Sequence, residues 1–227
     1  MSRSLFTSRF GGLSKGEFES FNLALHVGDD AEIVESNREL LARELGIKRS
    51  ELFFMNQVHS STVVEIDEGA SYLDEPAADA LFTRRSGIAL AVLTADCIPL
   101  LLSSPSAIAA VHIGRKGLVA GVLEATLEKF ESYGIAFTQL SALLGASICG
   151  DCYQVSLEIY RQVVGQIAQC ATDESKRCLD LEAGVISILR ERGITVSSIG
   201  ECSKHSPGYF SFRRDSRTGR QAGVIIR

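Results

Sequence analysis

Two apolar runs of this chain each stop at residues that can do chemistry. The first, Gly87 to Leu102, is broken by Asp96-Cys97, and the second, Ala107 to Val111, ends at His112. A carboxylate and a thiol gain nothing from a buried strand end, because burying a charge is costly unless it is paired or bound to a metal. A four-residue loop from Ser103 to Ser106 would set Cys97 directly opposite His112, with Cβ atoms about 4.5–5.5 Å apart. A three-residue loop would shift the register by one and turn His112 to the other face.

A thiolate and an imidazole on one face could hold a metal or form a nucleophilic dyad with Asp96 as orienter, and both arrangements need a third group. His59 supplies one, in the polar cluster Asn56, Gln57, His59, Ser60 and Ser61 between two β-rich runs. Two histidines and a cysteine suit a catalytic zinc with its fourth position open. Such an ion lowers the pKa of bound water to about 7 or polarises a substrate oxygen. The competing reading keeps Cys97 as a small buried hydrophobe and the histidines as hydrogen-bonded core residues, and spacing alone leaves the two level. Met55 as a weak axial ligand would complete a blue-copper set. A multicopper oxidase needs many more histidines than His26, His59, His112 and His205, which argues against a laccase mechanism. No histidine is followed two residues on by glutamate, so the zinc-deaminase signature of the cytidine type is missing.

Cys149-Gly150-Asp151-Cys152 has C-x-x-C spacing but no second pair at zinc-finger spacing, and it reads as ordinary thiols at a strand-to-helix turn. Gly114-Arg115-Lys116-Gly117 opens a helix, where free N–H groups and the macrodipole favour anions, although solvated loops of this kind are commoner. Arg213, Arg214, Arg217 and Arg220 either bind a phosphate or coat an exposed turn.

The elements that must position these groups are legible in outline. The segment from Asp29-Asp30 to Gly46 carries Ile33, Val34, Asn37, Leu40, Leu41 and Leu45 at helical spacing. Strands are expected at 52–59, 62–66, 141–144, 195–199, 209–212 and 224–226, and helices at 118–130, 153–168 and 181–192. This alternation predicts an α/β fold, a single layered α/β/α domain over residues 1–227 with a mixed central sheet. With 45% hydrophobic and 22% charged residues the composition is that of a globular protein, and a net charge of -5 does not suit a general nucleic-acid binder. The N-terminus lacks a long apolar segment and no run is long enough to span a bilayer, so a cytoplasmic protein is expected. Six scattered cysteines in a chain of this size read as reduced thiols.

Taken together, Phe6-Thr7-Ser8-Arg9 with Gly11-Gly12, Asn22-Leu23, Val27-Gly28-Asp29, Asn37-Arg38, Gln57-Val58-His59, Ala78-Asp79-Ala80, Thr94-Ala95-Asp96-Cys97, Ala110-Val111-His112, Cys152-Tyr153 and Phe212-Arg213-Arg214-Asp215 with Thr218-Gly219-Arg220-Gln221-Ala222-Gly223 carry a resemblance over nearly the whole chain. It is to the laccase-domain family, also called multicopper polyphenol oxidases and described as zinc-dependent purine nucleoside phosphorylases. The resemblance implies a Zn2+ ion held by His59, Cys97 and His112. It further implies phosphorolysis of adenosine, inosine and guanosine to base and ribose 1-phosphate, with adenosine deamination and methylthioadenosine cleavage as side activities. Arg9 and then Asn37 are the substrate or phosphate contacts expected, and Asp96 is the expected catalytic group, its role open between support, proton carrier and structural cap. Purine nucleoside and phosphate would be the partners, with neither nucleic acid nor membrane. Other relatives are described as peptidoglycan editing factors, whose amidase-like reaction a zinc-bound water could also perform. In place of the family's tryptophan and arginine the chain has Arg115-Lys116, which removes an aromatic face and a bidentate grip.

Overall fold

Local signals set the longest helix, and they are typical of how this chain forms its elements. Asp30 accepts hydrogen bonds from the N–H groups of Glu32 and Ile33, and Gly46, at φ 72°, ends the helix in the left-handed conformation that glycine tolerates. The computed structural model describes residues 2–227. In chain order it contains β1 (Arg3–Phe6), α1 (Ala31–Leu45), β2 (Leu52–Phe53), β3 (Val63–Glu65), β4 (Ala80–Thr83), β5 (Ala89–Thr94), β6 (Ile98–Ser103) and β7 (Ile108–Ile113). There follow α2 (Arg115–Val119), α3 (Val122–Glu131), β8 (Ser141–Leu144), α4 (Leu157–Gln166), α5 (Leu181–Glu191), β9 (Thr195–Ser198), α6 (Phe212–Asp215) and β10 (Gln221–Ile226).

The class is α/β, as expected, but the strands gather in two mixed sheets. One has the order β1-β10-β5-β2, the other β3-β4-β7-β6-β8-β9. Side-chain alternation shows how they stack. On β5, Leu90 and Val92 join Leu101, Ile108 and Ala110 of the second sheet in a core between the sheets. The alternate residues Ala89, Ala91 and Leu93 face Leu41 and Leu45 of α1. On the far side of the second sheet, Leu100, Leu102 and Val111 pack on Leu123, Leu127 and Phe130 of α3 and on Val163 and Val185 of α4 and α5. The layers therefore run helix, sheet, sheet, helices. Strands covered on both faces are largely apolar, which is why Ala89 to Leu93 of β5 and Ile108 to Val111 of β7 read as unbroken hydrophobic runs.

The break at Asp96-Cys97 is where the chain leaves one sheet for the other. β5 ends at Thr94 and β6 begins at Ile98, and Asp96 turns the chain at φ 94°. The following hairpin has a four-residue loop, but it spans Ser104–Ala107 and pairs Ser103 with Ile108, so Pro99, and not Cys97, lies opposite His112. Ser104 sets this: its Oγ accepts from the N–H groups of Ser106 and Ala107, pulling the turn one residue onward. The register moves by two in the pair sum, so Cys97 and His112 keep the same face as diagonal neighbours.

Three other expectations are revised. The helix expected over 118–130 is divided between α2 and α3 by Gly121 at φ 88°. The expected helix from Tyr153 starts at Leu157, where the Ser156 side chain caps it. The expected strand at 209–212 gives way to α6, because Ser211 caps that turn and Asp96 takes the N–H of Arg213.

Candidate active site

Three elements bring His59, Cys97 and His112 together: the loop after β2, the crossover between the sheets, and the end of β7. Their candidate ligand atoms all lie within 4.8 Å of one another. Cys97 Sγ is 3.8 Å from His59 Nε2, and the two imidazole rings meet edge to face with centroids 4.7 Å apart. Gly114 has to be a glycine, since a Cβ there would sit 2.6 Å from His59 Cδ2 and 3.0 Å from Cys97 Sγ.

Asp79, which sequence reasoning quoted in a motif but did not assign to the site, organises two of the three donors. Its fully buried carboxylate pairs with His112 Nδ1 at 2.8 Å. It also accepts the backbone N–H groups of His59 (2.9 Å) and Ser60 (2.5 Å) and the Ser60 hydroxyl (2.8 Å). Those bonds hold His59 at φ 60°, a left-handed conformation that a non-glycine residue rarely takes unless its surroundings impose it. A signal for Asp79 existed: a carboxylate set in Ala78-Asp79-Ala80 at the head of an apolar strand invites the same question that Asp96 raised.

Orientation and charge follow from these contacts. Occupying Nδ1 of His112 leaves Nε2 for the site, the arrangement of a carboxylate-oriented metal histidine. Burial pushes the Asp79 carboxyl up, but the hydrogen bonds from His112 and Ser60 outweigh it and bring it down to about 2. Burial likewise opposes ionisation of Cys97, yet the His112 charge, with hydrogen bonds from both histidines, lowers it to about 6. His112 is raised to about 9 against its own burial by Cys97 and Asp79. Without a metal the site thus favours a thiolate beside an oriented imidazolium, whose proton a bound ion would displace. The soft sulfur, two imidazole nitrogens and the carboxylate behind one of them fit a zinc-type ion with an open position.

The donors open onto a cavity of about 390 Å³, within the usual range for small-molecule sites. Its wall includes Arg115, Arg213 and Arg220, with Tyr153, Phe212 and His26. Arg213 lies 4.7 Å over the Tyr153 ring. Burial pushes the Tyr153 hydroxyl up, against the pull of Arg115. Burial and the neighbouring Arg220 lower His26. Thr94, also on the wall, has a buried hydroxyl without a hydrogen-bond partner.

The other expected site residues fall differently. Asp96 lines the cavity, but its Oδ1 accepts from the hydroxyls of Ser203 and Ser211, both at 2.7 Å, and its Oδ2 from the Arg213 N–H at 2.6 Å. It is a clasp between the crossover and the 203–213 segment. Asn37 is fully buried and saturated: it accepts from the Leu13 N–H and donates to Ser14 Oγ and the Asn22 carbonyl. It is outside the cavity wall and ties the loop before α1 to that helix. Arg9 too is absent from the wall, donating to the Glu19 carbonyl and lying 4.8 Å over Phe210. The C-terminal arginines divide by role. Arg213 and Arg220 face the cavity, Arg214 gathers the carbonyls of Ser203, Lys204, Ser206 and Tyr209, and Arg217 pairs with Glu17 on the surface.

The fold and this donor set define a two-sheet α/β protein with a His/Cys cavity suited to a metal and an anion. The family described as multi-copper polyphenol oxidoreductase laccase matches residues 3–227, and the chain belongs to that family. It is 42% identical to a purine nucleoside phosphorylase of Corynebacterium glutamicum, over 98% of this chain and 93% of the relative. It is 40% identical to a purine nucleoside phosphorylase of Streptomyces coelicolor, over 97% and 93%. Among solved structures, a Neisseria meningitidis protein of the DUF152 family matches with a TM-score of 0.88 at 32% identity, covering 99% of this chain and 93% of its own.

Proposed function

We propose that the chain is a zinc-dependent purine nucleoside phosphorylase that converts adenosine, inosine or guanosine and phosphate to base and ribose 1-phosphate. The observation that carries this reading is the convergence, in one cavity, of the His59/Cys97/His112 donors with Arg115, Arg213 and Arg220. The purine nucleoside phosphorylase names of relatives at 40–42% identity point the same way.

His59, Cys97 and His112 would hold the zinc, which when bound supplies a Lewis acid for a substrate oxygen and a way to activate water. The remaining work falls to the chain's own groups. The arginines bind phosphate and neutralise it as its oxygen attacks C1′ of the ribose while the bond from C1′ to the base breaks. Phe212, 52% exposed at the wall, and Tyr153 offer faces for the purine, which answers the aromatic missing beside Lys116. The His26 ring, on the cavity wall, would hydrogen-bond the base or the sugar. Asp96 acts through position, holding the Arg213 backbone and the Ser203 loop, and Asp79 keeps His112 turned to the site. Adenosine deamination and methylthioadenosine cleavage are side activities that the same cavity would admit.

The test is incubation of metal-loaded protein with inosine and phosphate. Hypoxanthine and ribose 1-phosphate in equal amounts are expected, with the rate lost on chelation and restored by zinc. No base release in the presence of both zinc and phosphate would overturn the reading.

A further inference from the structure

The C-x-x-C turn, read from sequence as ordinary thiols, has a partner 50 residues later. Cys149 and Cys152 meet Cys202 and His205, and the sulfur and nitrogen atoms of all four lie within 4.8 Å of one another. Cys152 Sγ stands 3.1 Å from His205 Nε2. None of the four lines the cavity. The cysteines are free thiols, not disulfides.

The backbone around them has the form of two ligand turns facing each other. In the first, the N–H groups of Cys152 and Tyr153 return to the Cys149 carbonyl; in the second, the N–H of Ser206 returns to that of Cys202. Cys202 Sγ receives the N–H of Cys149 at 3.4 Å. The turns are stitched together by the bridge between Ser147 and Cys202 and by the Ser203 N–H donating to the Ser147 carbonyl. Three thiolates and one imidazole are a closed tetrahedral set for zinc, whose bond lengths would put the sulfurs about 3.8 Å apart.

We propose that Cys149, Cys152, Cys202 and His205 form a second, structural zinc site that clamps the turn before Tyr153 to the loop carrying Ser203. What it holds is the wall of the cavity. Tyr153 directly follows Cys152 and lines the cavity; Ser203 directly follows Cys202 and binds Asp96; Arg214 reads the carbonyls of residues 203, 204 and 206. The clamp is independent of which reaction the cavity performs.

The experiment is zinc per chain, by elemental mass spectrometry on the full-length protein purified under reducing conditions, together with cobalt substitution. The clamp predicts one equivalent that survives in His59→Ala and is lost in His205→Ala, with cobalt spectra of a three-thiolate tetrahedral centre that persist in Cys97→Ser. His205 is exposed, so its replacement leaves packing in place. Wild type is then expected to hold two equivalents. A single equivalent that survives in His59→Ala still supports the clamp while counting against the first site. A single equivalent lost in His59→Ala, with Cys149, Cys152 and Cys202 alkylated in the native protein as fast as free thiols, overturns it. So does a disulfide between any two of the three.

Discussion

The two His/Cys clusters of this protein are built to opposite plans. In the cavity, three donors come from three separate places in the fold, one is buried and oriented by the Asp79 carboxylate, and a coordination position is left facing about 390 Å³ of space. At the clamp, four donors come from two short turns, no carboxylate stands behind them, and every position would be filled by protein. An ion that must exchange ligands needs an open, rigidly oriented site, whereas one that only fastens loops needs a full set of ligands. On the proposed reading, the difference gives chemistry to the first and stability to the second.

The sharpest way to break that comparison is to remove one donor from each cluster. Cys97→Ala should lower phosphorolysis by at least about 1000-fold, since an ion supplying several kcal/mol to the transition state is lost. Zinc at the clamp should remain; a variant keeping more than a tenth of wild-type turnover would detach catalysis from the first cluster. Asp79→Asn should weaken zinc at that cluster by about 10–100-fold, measured by competition with a chelator, and leave the clamp's affinity alone.

The same residue makes a pH prediction. Its carboxyl is held at about 2 against an ordinary 3.8, so its contribution is fully present above about pH 4 and is lost as the pH falls toward 2. That contribution is about 2 kcal/mol. Urea denaturation of metal-free wild type and Asp79→Asn should give a stability gap that closes over this window, and a gap constant from pH 6 to 2 would contradict it.

Smaller effects belong to the wall. Arg213→Ala removes a charged contact and should raise the KM for phosphate by about tenfold, with little change for inosine. An equal rise for both substrates would reassign Arg213 to the purine side. His205→Ala should leave kcat within about twofold and lower the melting temperature, about 2–4 °C for each kcal/mol of clamp removed. An unchanged melting temperature would leave the second cluster without a mechanical role.

Much of this was legible along the chain. His59, Cys97 and His112 stand out because each interrupts an apolar or β-rich run, and a polar group there needs a reason. The cap at Asp30, the stop at Gly46 and strand β8 at Ser141–Leu144 are local patterns, decided by neighbours in sequence. Asn37 and Arg9 show the limit: polar residues near a predicted face look alike whether or not they line a cavity, and only the tertiary structure puts both off the cavity wall.

By itself, then, the sequence determined that His59, Cys97 and His112 could be ligands and where most strands and helices lie, because side-chain type and period are properties of short stretches. The stretch expected as a strand at 209–212, where Ser211 caps α6 and Asp96 takes the Arg213 N–H, is an exception. Only the tertiary structure decided that β5 and β6 lie in different sheets, with Asp96 at the crossing. It also turned Asp79 toward His112, divided the four C-terminal arginines among cavity, scaffold and surface, and brought Cys202 and His205 to a C-x-x-C turn half a hundred residues away. Those outcomes depend on which faces pack together, and a pairing between distant residues leaves no period in the chain for a reader to find.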